Sequence, residues 1–283
     1  MKKNKLIVIL GPTATGKSDY AVKLAKKIGG EIVSADSRQV YTGLDIGSGK
    51  ITKKEMRGIP HHMLDVANPK KVFSVSDFKK MAEQKIDGII TRGNTPILTG
   101  GTGFYIDAIV NGNVLPEVAP NMKLRKTLDK LSLQKLLAKL KKLDPARAKT
   151  VDTKNPVRII RAIEIATALG KVPKLKSKPK YDVELIGLSL PDEELKKRIH
   201  TRLLARMKQG MVREVSNLHK NGLSWKRLND LGLEYRYVAL YLQNKLTKPE
   251  MLLQLEKEIW QYAKRQKTWF KRDRRIRWVQ VPK

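Results

Sequence analysis

Short apolar runs alternate with helix-like segments over the first 112 residues. The apolar runs are short enough to be buried strands, and they comprise residues 6–10, 31–34 and 96–99. Between them, apolar residues recur at helical spacing over residues 20–28 and 76–90, and Gly29 with Gly30 marks the end of the first helix. Strands that alternate with helices are typical of an α/β fold with a parallel sheet, which we predict here.

The pattern changes after residue 112. Residues 121–143 are rich in Leu and Lys at helical spacing, and they precede a predicted turn at residues 144–145. Asn155 and Pro156 suit the cap and first position of a further helix, which Gly170 would end. This part of the chain is therefore predicted to be helical, with no strand pattern of its own.

The chain then returns to the first pattern. The predicted elements are a Lys- and Pro-rich linker, a strand and two helical regions, at residues 171–180, 183–190, 193–221 and 249–275. We predict one α/β core, residues 1–112 and 183–283, interrupted by a helical insertion domain, residues 113–182.

The charge balance of the chain favours a large polyanion as partner. The 283-residue chain has 59 Lys and Arg against 27 Asp and Glu, a net charge of +32. Residues 1–112 hold 18 basic and 10 acidic side chains, whereas residues 113–283 hold 41 and 17. A nucleotide needs few cations, so this excess indicates nucleic acid, although a solvated Lys-rich surface would give the same count.

Two absences in the sequence limit the class of protein. No cysteine is present, which excludes disulfides and thiolate metal sites, and no apolar run approaches the ~18 residues of a membrane span. We therefore expect a cytoplasmic protein with no membrane partner.

One motif indicates specific chemistry. Residues 11–18 fit the pattern G-x-x-x-x-G-K-[ST] between a predicted strand and a predicted helix, which is the context of a phosphate-binding loop. In such a loop, backbone N–H groups surround phosphate oxygens, Lys17 reaches the phosphates and the Ser18 hydroxyl suits Mg²⁺. The predicted diphosphate-binding residues of the loop are Gly11, Pro12, Thr13, Ala14, Thr15, Gly16, Lys17 and Ser18.

Asp36 is the second candidate for chemistry. It follows the strand at residues 31–34, and α/β sheets build their sites at the carboxyl ends of strands. It suits a base or a metal ligand, and capping a turn is the alternative role. The strand at residues 96–99 ends in residues 100–103, Gly-Gly-Thr-Gly, where a typical ATPase has a magnesium-holding Asp, which weakens the case for ATP hydrolysis.

Other polar clusters are less specific. His61 and His62 have no third imidazole or thiolate at ligand spacing, so a structural or substrate-contact role is predicted. Arg198, Arg202 and Arg206 recur every fourth residue, which alone is typical of a solvated helix face. Residues 262–278 interleave cations with aromatic side chains, which suits stacking on unpaired bases or anchoring of a basic helix.

Two other functions explain parts of this pattern. A small-molecule kinase would use Lys17 and Ser18 to hold ATP and Mg²⁺, with Asp36 activating an acceptor hydroxyl, but it leaves the positive charge unexplained. A basic RNA-binding module with a regulatory nucleotide loop explains the charge, but it gives Asp36 and Thr102 no role.

Taken together, these segments resemble the tRNA dimethylallyltransferase (tRNA isopentenyltransferase) family. The resemblance spans nearly the whole chain and rests on residues 11–18, 34–41, 45–47, 60–62, 100–102 and 262–269. It implies a P-loop NTPase-like core and a helical insertion that moves onto tRNA. It also implies transfer of a dimethylallyl group from dimethylallyl diphosphate to N6 of the adenosine 3′ of the anticodon, tRNA position 37. Mg²⁺ is the implied cofactor and the tRNA anticodon stem-loop the implied partner, and we expect a monomer because tRNA supplies a large interface.

The resemblance also implies roles for individual residues. Asp36 would be the general base, with Thr13 and Thr102 beside it, and Arg202 would bind the diphosphate together with the loop. The residues implied to contact tRNA are Asp36, Ser37, Arg38, Gln39, Thr102, Lys123, Val157, Arg158, Ile159, Ile160, Arg161, Leu231, Gly232, Leu233, Glu234, Tyr235 and Arg236.

The chain departs from the family pattern at two places. Many bacterial members have an Ile-Gly-Tyr-like segment where residues 232–236 read Gly-Leu-Glu-Tyr-Arg. The family's Asp-Ile-Gly-Thr ends here in Ser48, which retains a hydroxyl. A chain without cysteine also cannot form the thiolate zinc finger of eukaryotic relatives.

Overall fold

The computed structural model describes residues 4–174 and 176–281, and the chain divides into two compact units. The first unit comprises Met1–Gly112 and Pro179–Lys283, and the second comprises Asn113–Lys178. Residues 179–182, which the sequence pattern places in the insertion, therefore group with the first unit.

A six-stranded parallel sheet forms the centre of the first unit. Its strands are β1 (Lys5–Leu10), β2 (Gly30–Ser34), β3 (His61–His62), β4 (Thr95–Gly100), β5 (Asp182–Ser189) and β6 (Arg277–Gln280), in the order β3-β2-β4-β1-β5-β6. Every pairing is parallel, which confirms the predicted sheet. The apolar runs of the sequence are its inner strands, as expected of strands buried on both faces.

Helices cover the sheet and build the second unit. In chain order they are α1 (Lys17–Ile28), α2 (Lys53–Met56), α3 (Val75–Thr91), α4 (Gly103–Val110), α5 (Met122–Leu128), α6 (Leu133–Leu143), α7 (Pro145–Thr150), α8 (Pro156–Leu169), α9 (Asp192–Gln209), α10 (Met211–Lys220), α11 (Trp225–Leu231), α12 (Leu233–Leu242) and α13 (Lys248–Phe270). Within the described part of the chain, no helix is both long and apolar enough to cross a bilayer.

The two faces of the sheet bury different helices. On one face, Ile9 and Ile97 belong to a cluster with Val22 of α1. On the other, Val8 and Leu98 share a cluster with residues of α3, α4 and the C-terminal helices. Because neighbouring residues of a strand point to opposite faces, one short apolar run supplies both clusters.

The cap residues of α8 are those predicted from the sequence. The Asn155 side chain accepts a hydrogen bond from the Arg158 N–H, Pro156 opens the helix and Gly170 follows its last residue. Each group satisfies a backbone requirement at a helix end, so these boundaries are set locally.

The predicted helical region at residues 121–143 is divided. It forms α5 and α6, because the Ser132 side chain accepts a hydrogen bond from the Lys135 N–H and starts a new helix. The chain does break at Asp144, as predicted, but the sequence pattern missed the short helix α7 that follows, which Asp144 caps by accepting a hydrogen bond from the Arg147 N–H. The predicted linker has no helix or regular strand among its described residues, and Leu175 lies outside them.

Two later predictions also require correction. Residues 193–221 form α9 and α10, which separate at Gly210, where φ is 101° and a right-handed helix cannot continue. The final helix ends at Phe270 instead of residue 275, because the chain turns and adds β6 to the sheet.

The second unit has its own core and a buried carboxylate. Leu136, Leu140 and Ile163 belong to its hydrophobic cluster. The Glu164 carboxylate, 1% exposed, accepts hydrogen bonds from Arg125 at 2.7 Å and also from Arg161 and the Asn121 N–H. Full pairing of this buried charge ties α5 to α8.

Glu31, at the start of β2, anchors one edge of the sheet. Its carboxylate accepts hydrogen bonds from Arg92 and Asn94 and lies 2.6 Å from Nε2 of His62. Burial alone raises the pKa of Glu31, but these hydrogen bonds outweigh it and lower the pKa to about 2. His62 therefore has a structural partner in β2, while Nδ1 of His61 lies 2.8 Å from the Ile59 carbonyl.

Because the pKa of Glu31 is low in the folded chain, the free energy of unfolding depends on pH in the acidic range. The ionised form is favoured in the folded chain, so its contribution is present above pH 4.5 and is lost as the pH falls towards 2. We expect Glu31→Gln to lower the free energy of unfolding by about 2 to 3 kcal/mol at pH 7, and by progressively less between pH 4.5 and pH 2. Urea unfolding at each pH measures this difference, and a constant difference would contradict the role of Glu31.

Candidate active site

The loop at residues 11–18 joins β1 to α1 with the geometry of an anion site. Ala14 and Gly16 have φ values of 63° and 81°, and α1 begins at Lys17, so the loop curls over the start of the helix. The Thr15 hydroxyl donates to the Pro12 carbonyl at 2.9 Å, and Lys17 Nζ donates to the same carbonyl at 2.5 Å. These bonds hold the lysine within the loop.

Position 11 requires glycine because the backbone there passes very close to β5. Its φ is 146°, and a Cβ built there would lie 2.5 Å from the Leu188 carbonyl oxygen of β5. The first glycine of the motif therefore lets the loop leave β1 beside its neighbouring strand.

The Asp36 carboxylate is held on one side only. Its Oδ1 accepts hydrogen bonds from the N–H groups of Arg38 at 2.8 Å and Gln39 at 3.2 Å. Oδ2 has no hydrogen bond to any described residue. The turn thus fixes the carboxyl group while one oxygen keeps its lone pairs available.

Thr102 joins the ends of β2 and β4. Its hydroxyl accepts a hydrogen bond from the Ser37 N–H at 3.0 Å, and its own N–H donates to the Ala35 carbonyl at 3.2 Å. A Cβ on Gly100 would lie 2.2 Å from that same Ala35 oxygen, so only glycine fits there. Burial and, to a smaller extent, the nearby Asp36 charge raise the pKa of Tyr262 to about 12, which places α13 beside Asp36.

Gln266 is a site residue that the sequence analysis did not identify. Its buried side chain accepts from the Thr13 N–H at 2.8 Å and donates to the Gly101 carbonyl at 2.8 Å. It therefore connects the phosphate loop to the turn after β4. The signal that could have drawn attention to it is its position within residues 262–269, one of the segments that carry the resemblance.

These elements surround a cavity of about 760 Å³ at the carboxyl ends of the inner strands. Thr13, Lys17, Ser18, Asp36, Arg202 and Gln266 all line it. The structure therefore brings the predicted base, Arg202 and part of the predicted phosphate loop into one cavity of the first unit. The predicted catalytic and diphosphate-binding residues that do not line it are Gly11, Pro12, Thr15 and Thr102.

Positive charge collects on one side of this cavity. Burial and the nearby charge of Arg202 together lower the pKa of Lys17 to about 7, against the smaller opposing effect of Asp36. The Arg202 side chain reaches into the open cavity, yet desolvation of its guanidinium and the neighbouring Arg206 lower its pKa to about 10. Arg202 has no hydrogen bond or ion pair within the described residues, so this side of the cavity favours an anion.

The row of arginines on α9 is not simply a solvated helix face. Arg198, Arg202 and Arg206 all line the cavity. The four-residue spacing that typifies a solvated face also places three cations along one side of a site, and only the fold distinguishes the two cases.

The residues implied to contact tRNA have different environments. In the first unit, Arg38 Nε donates to the Leu231 carbonyl at 2.5 Å, which brings residues 36–39 to the segment 231–236. The side chains of Leu231 and Tyr235 are buried in the core, whereas Arg236 is exposed. Any contact with RNA at Leu231 or Tyr235 would therefore require their backbone.

In the second unit, too, some of the residues implied to contact tRNA are exposed and others are buried. Lys123 and Arg158 are exposed and the Val157 side chain is 72% exposed, but Ile159 and Ile160 lie in the core. A surface for RNA on α8 would accordingly involve its first turn and not those two isoleucine side chains.

The Glu214 carboxylate holds the backbone of residues 45–47, one of the segments that carry the family resemblance. Glu214 of α10 accepts hydrogen bonds from the three consecutive N–H groups of these residues and from the Tyr235 hydroxyl. A Cβ on Gly47 would lie 2.9 Å from the Tyr235 ring, which accounts for the glycine. The Ser48 hydroxyl donates to the Leu44 carbonyl at 2.5 Å, so the retained hydroxyl closes this turn.

Known proteins share this arrangement along the whole chain. A family model described as IPP transferase matches residues 39–273. The tRNA dimethylallyltransferase 2 of Treponema denticola is 43% identical over 98% of this chain and 96% of its own length. The tRNA dimethylallyltransferase of Pelotomaculum thermopropionicum is 39% identical over 99% and 92%.

Solved structures agree with the sequence matches. The tRNA isopentenylpyrophosphate transferase of Bacillus halodurans has a TM-score of 0.75 at 35% identity, covering 98% of this chain and 90% of that one. A eukaryotic dimethylallyltransferase described as acting on tRNA has a TM-score of 0.83 at 26% identity, covering 98% and 74%. The chain therefore belongs to the tRNA dimethylallyltransferase family, a family of prenyltransferases.

Proposed function

We propose that this protein transfers the dimethylallyl group of dimethylallyl diphosphate to N6 of the adenosine at tRNA position 37, 3′ of the anticodon. The products are N6-dimethylallyladenosine and pyrophosphate. The observation that carries the proposal is the pairing, within one cavity, of a carboxylate with a free oxygen and a group of cations.

Asp36 is the proposed general base. The lone pair of an adenine N6 amine is delocalised into the ring, so bond formation is assisted when a carboxylate accepts the amine proton. Oδ1 is held by the backbone of residues 38 and 39, and Oδ2 is the oxygen available for this proton. Thr102 fixes the same turn through the Ser37 N–H and acts by positioning.

The phosphate loop and Arg202 are proposed to stabilise the leaving group. As the new C–N bond forms, the allylic C–O bond breaks and its electron pair goes to pyrophosphate. Loop residues including Lys17, together with Arg202, line the cavity in which this charge would develop. The loop then stabilises a leaving diphosphate instead of directing a phosphoryl transfer.

The residues present fit Mg²⁺ beside this diphosphate. Ser18 and Thr99 line the cavity, and the Thr99 hydroxyl oxygen is buried beneath its surface with no hydrogen-bond partner among the described residues. Oxygen donors of this kind suit Mg²⁺ or a water that it holds, and Ser18 is the proposed ligand. When bound, the ion would supply further neutralisation of the diphosphate charge.

RNA binding is assigned to both units. The exposed cations of the second unit, Lys123 and Arg158 among them, suit phosphates of an anticodon stem-loop. The adenosine must leave its stack to reach a carboxylate in the cavity, which is inexpensive in an unpaired loop. We further propose that the enzyme acts as a cytoplasmic monomer.

The test is direct detection of the product. Purified protein, Mg²⁺ and dimethylallyl diphosphate are incubated with unmodified anticodon stem-loop RNA, and nucleosides are analysed by mass spectrometry. A dimethylallyl mass gain at position 37 is expected, and an RNA with guanosine at that position is the control. No gain on several A-rich loops, together with ATP-dependent phosphorylation of an acceptor, would instead support a kinase.

RNA affinity is expected to fall steeply with salt. If only three phosphates are neutralised, the dissociation constant should rise about twentyfold between about 50 and 200 mM salt. Fluorescence anisotropy of a labelled stem-loop measures this dependence, and Arg158→Gln should make its slope shallower. A flat profile would contradict an electrostatic RNA surface.

A further inference from the structure

Arg206 and Glu234 form an ion pair at the wall of the cavity. Arg206 Nη1 donates to Glu234 Oε1 at 2.9 Å and to the Gly47 carbonyl at 3.2 Å. The two side chains are only 12% and 11% exposed. This guanidinium is therefore fixed by one carboxylate and one backbone oxygen.

The opposite edge of the Arg206 guanidinium is available to a ligand. Nη2 makes no hydrogen bond to any described residue, although Arg206 lines the cavity. A Cβ on Gly49 would lie 1.9 Å from Arg206 Nη2 and 3.2 Å from Arg202 Nη2. Two guanidinium groups therefore approach one another beside the backbone of Gly49, where like charges repel unless an anion joins them.

We propose that Arg206 is a second diphosphate-binding guanidinium, and that Glu234 is the positioning residue that holds it towards Arg202. This inference rests on the proposed function, since it assigns a further ligand for the same diphosphate. Arg206 keeps Nη1 on Glu234 and the Gly47 carbonyl and offers Nη2 to a phosphate oxygen, and a planar guanidinium can make both contacts at once.

This assignment changes the role of Glu234. The resemblance implies that residues 231–236 contact tRNA, but the Glu234 carboxylate points to Arg206 and is buried. It lies in the segment where the chain departs from the Ile-Gly-Tyr-like pattern. We therefore expect the effect of this charge pair to appear in diphosphate binding, not in RNA binding.

The experiment separates ligand binding from folding. Arg206→Met alone leaves a buried carboxylate without its partner and is expected to lower the melting temperature. The double variant R206M/E234Q removes both charges and leaves no unpaired buried carboxylate. Its pyrophosphate affinity is therefore the one compared with that of the reference. Glu234→Gln alone keeps an acceptor for Nη1 and is the reference, and Lys208→Met, an exposed cation of the same helix, controls for net charge.

Inorganic pyrophosphate with Mg²⁺ is the probe, measured by calorimetry, and the Michaelis constants for dimethylallyl diphosphate and RNA are measured separately. We expect R206M/E234Q to bind pyrophosphate about tenfold more weakly than Glu234→Gln, the loss of one charge-assisted hydrogen bond. The Michaelis constant for dimethylallyl diphosphate should rise in parallel, and that for RNA should stay within about twofold.

Equal pyrophosphate affinity in R206M/E234Q and Glu234→Gln would overturn the inference. A change confined to the Michaelis constant for RNA would overturn it as well, and would return Glu234 to the RNA surface. Failure of the wild-type chain to bind pyrophosphate would instead reject the proposed function, so the two failures are distinguishable.

Discussion

Asp36→Asn is expected to lower kcat by about 10²-fold or more, while the dissociation constant for RNA stays within about threefold. Asparagine keeps a side-chain oxygen that can accept from the N–H groups of Arg38 and Gln39, so the turn is retained. What it removes is the basic oxygen proposed to accept the amine proton. Single-turnover kinetics with saturating RNA and dimethylallyl diphosphate measure this step directly.

Asp182→Asn is the matched control for that variant. Asp182 is exposed at the first position of β5, the end of the strand opposite to the one that the cavity adjoins, and it does not line the cavity. Its replacement makes the same chemical change and should leave kcat within about twofold, as is usual for surface positions. An unchanged kcat in Asp36→Asn would remove this carboxylate from the mechanism.

Gln266→Leu is expected to lower kcat/KM for dimethylallyl diphosphate by about 10²-fold, because small displacements of binding groups have effects of this size. Leucine leaves the Thr13 N–H and the Gly101 carbonyl without the bonds that now join the loop to the turn after β4. Gly101→Ala should act similarly, since its Cβ would lie 2.3 Å from Gln266 Nε2. Steady-state kinetics and pyrophosphate calorimetry measure both variants.

Gln254→Leu gives the same chemical change at an exposed position of α13 and should retain wild-type kinetics. Gln266→Glu keeps an acceptor for Thr13 but places a carboxylate against the Gly101 carbonyl, so it tests the second bond separately. The role of Gln266 as a bridge would be rejected if Gln266→Leu lost stability but bound pyrophosphate and turned over normally.

Local patterns were sufficient to predict the central elements of the fold. The run at residues 6–10, the loop beside it and the caps of α8 each depend on neighbouring residues, and the structure has them where predicted. β3 and β6 were missed because β3 is two residues long and β6, at a sheet edge, has only two apolar residues between Arg277 and Gln280. Neither contains an apolar run that could be recognised in isolation.

The candidate site was predictable where its residues form motifs and not where they act across the chain. Lys17, Ser18 and Asp36 follow strands in recognisable contexts, and the cavity contains all three. Gln266 and Glu214 act on backbone groups far away in sequence, a distance of 253 residues for the bond from Thr13. Single-sequence patterns carry no information about such partners, because any polar side chain on a helix could serve.

The bond between Thr13 and Gln266 has a consequence for biosynthesis. The phosphate loop is translated before α13, and the side chain that holds it follows 253 residues after Thr13. Contacts of such high sequence separation form late in folding. A nascent chain that has finished the inner strands therefore still lacks this bond to the loop, and we expect activity to arise only after translation of α13.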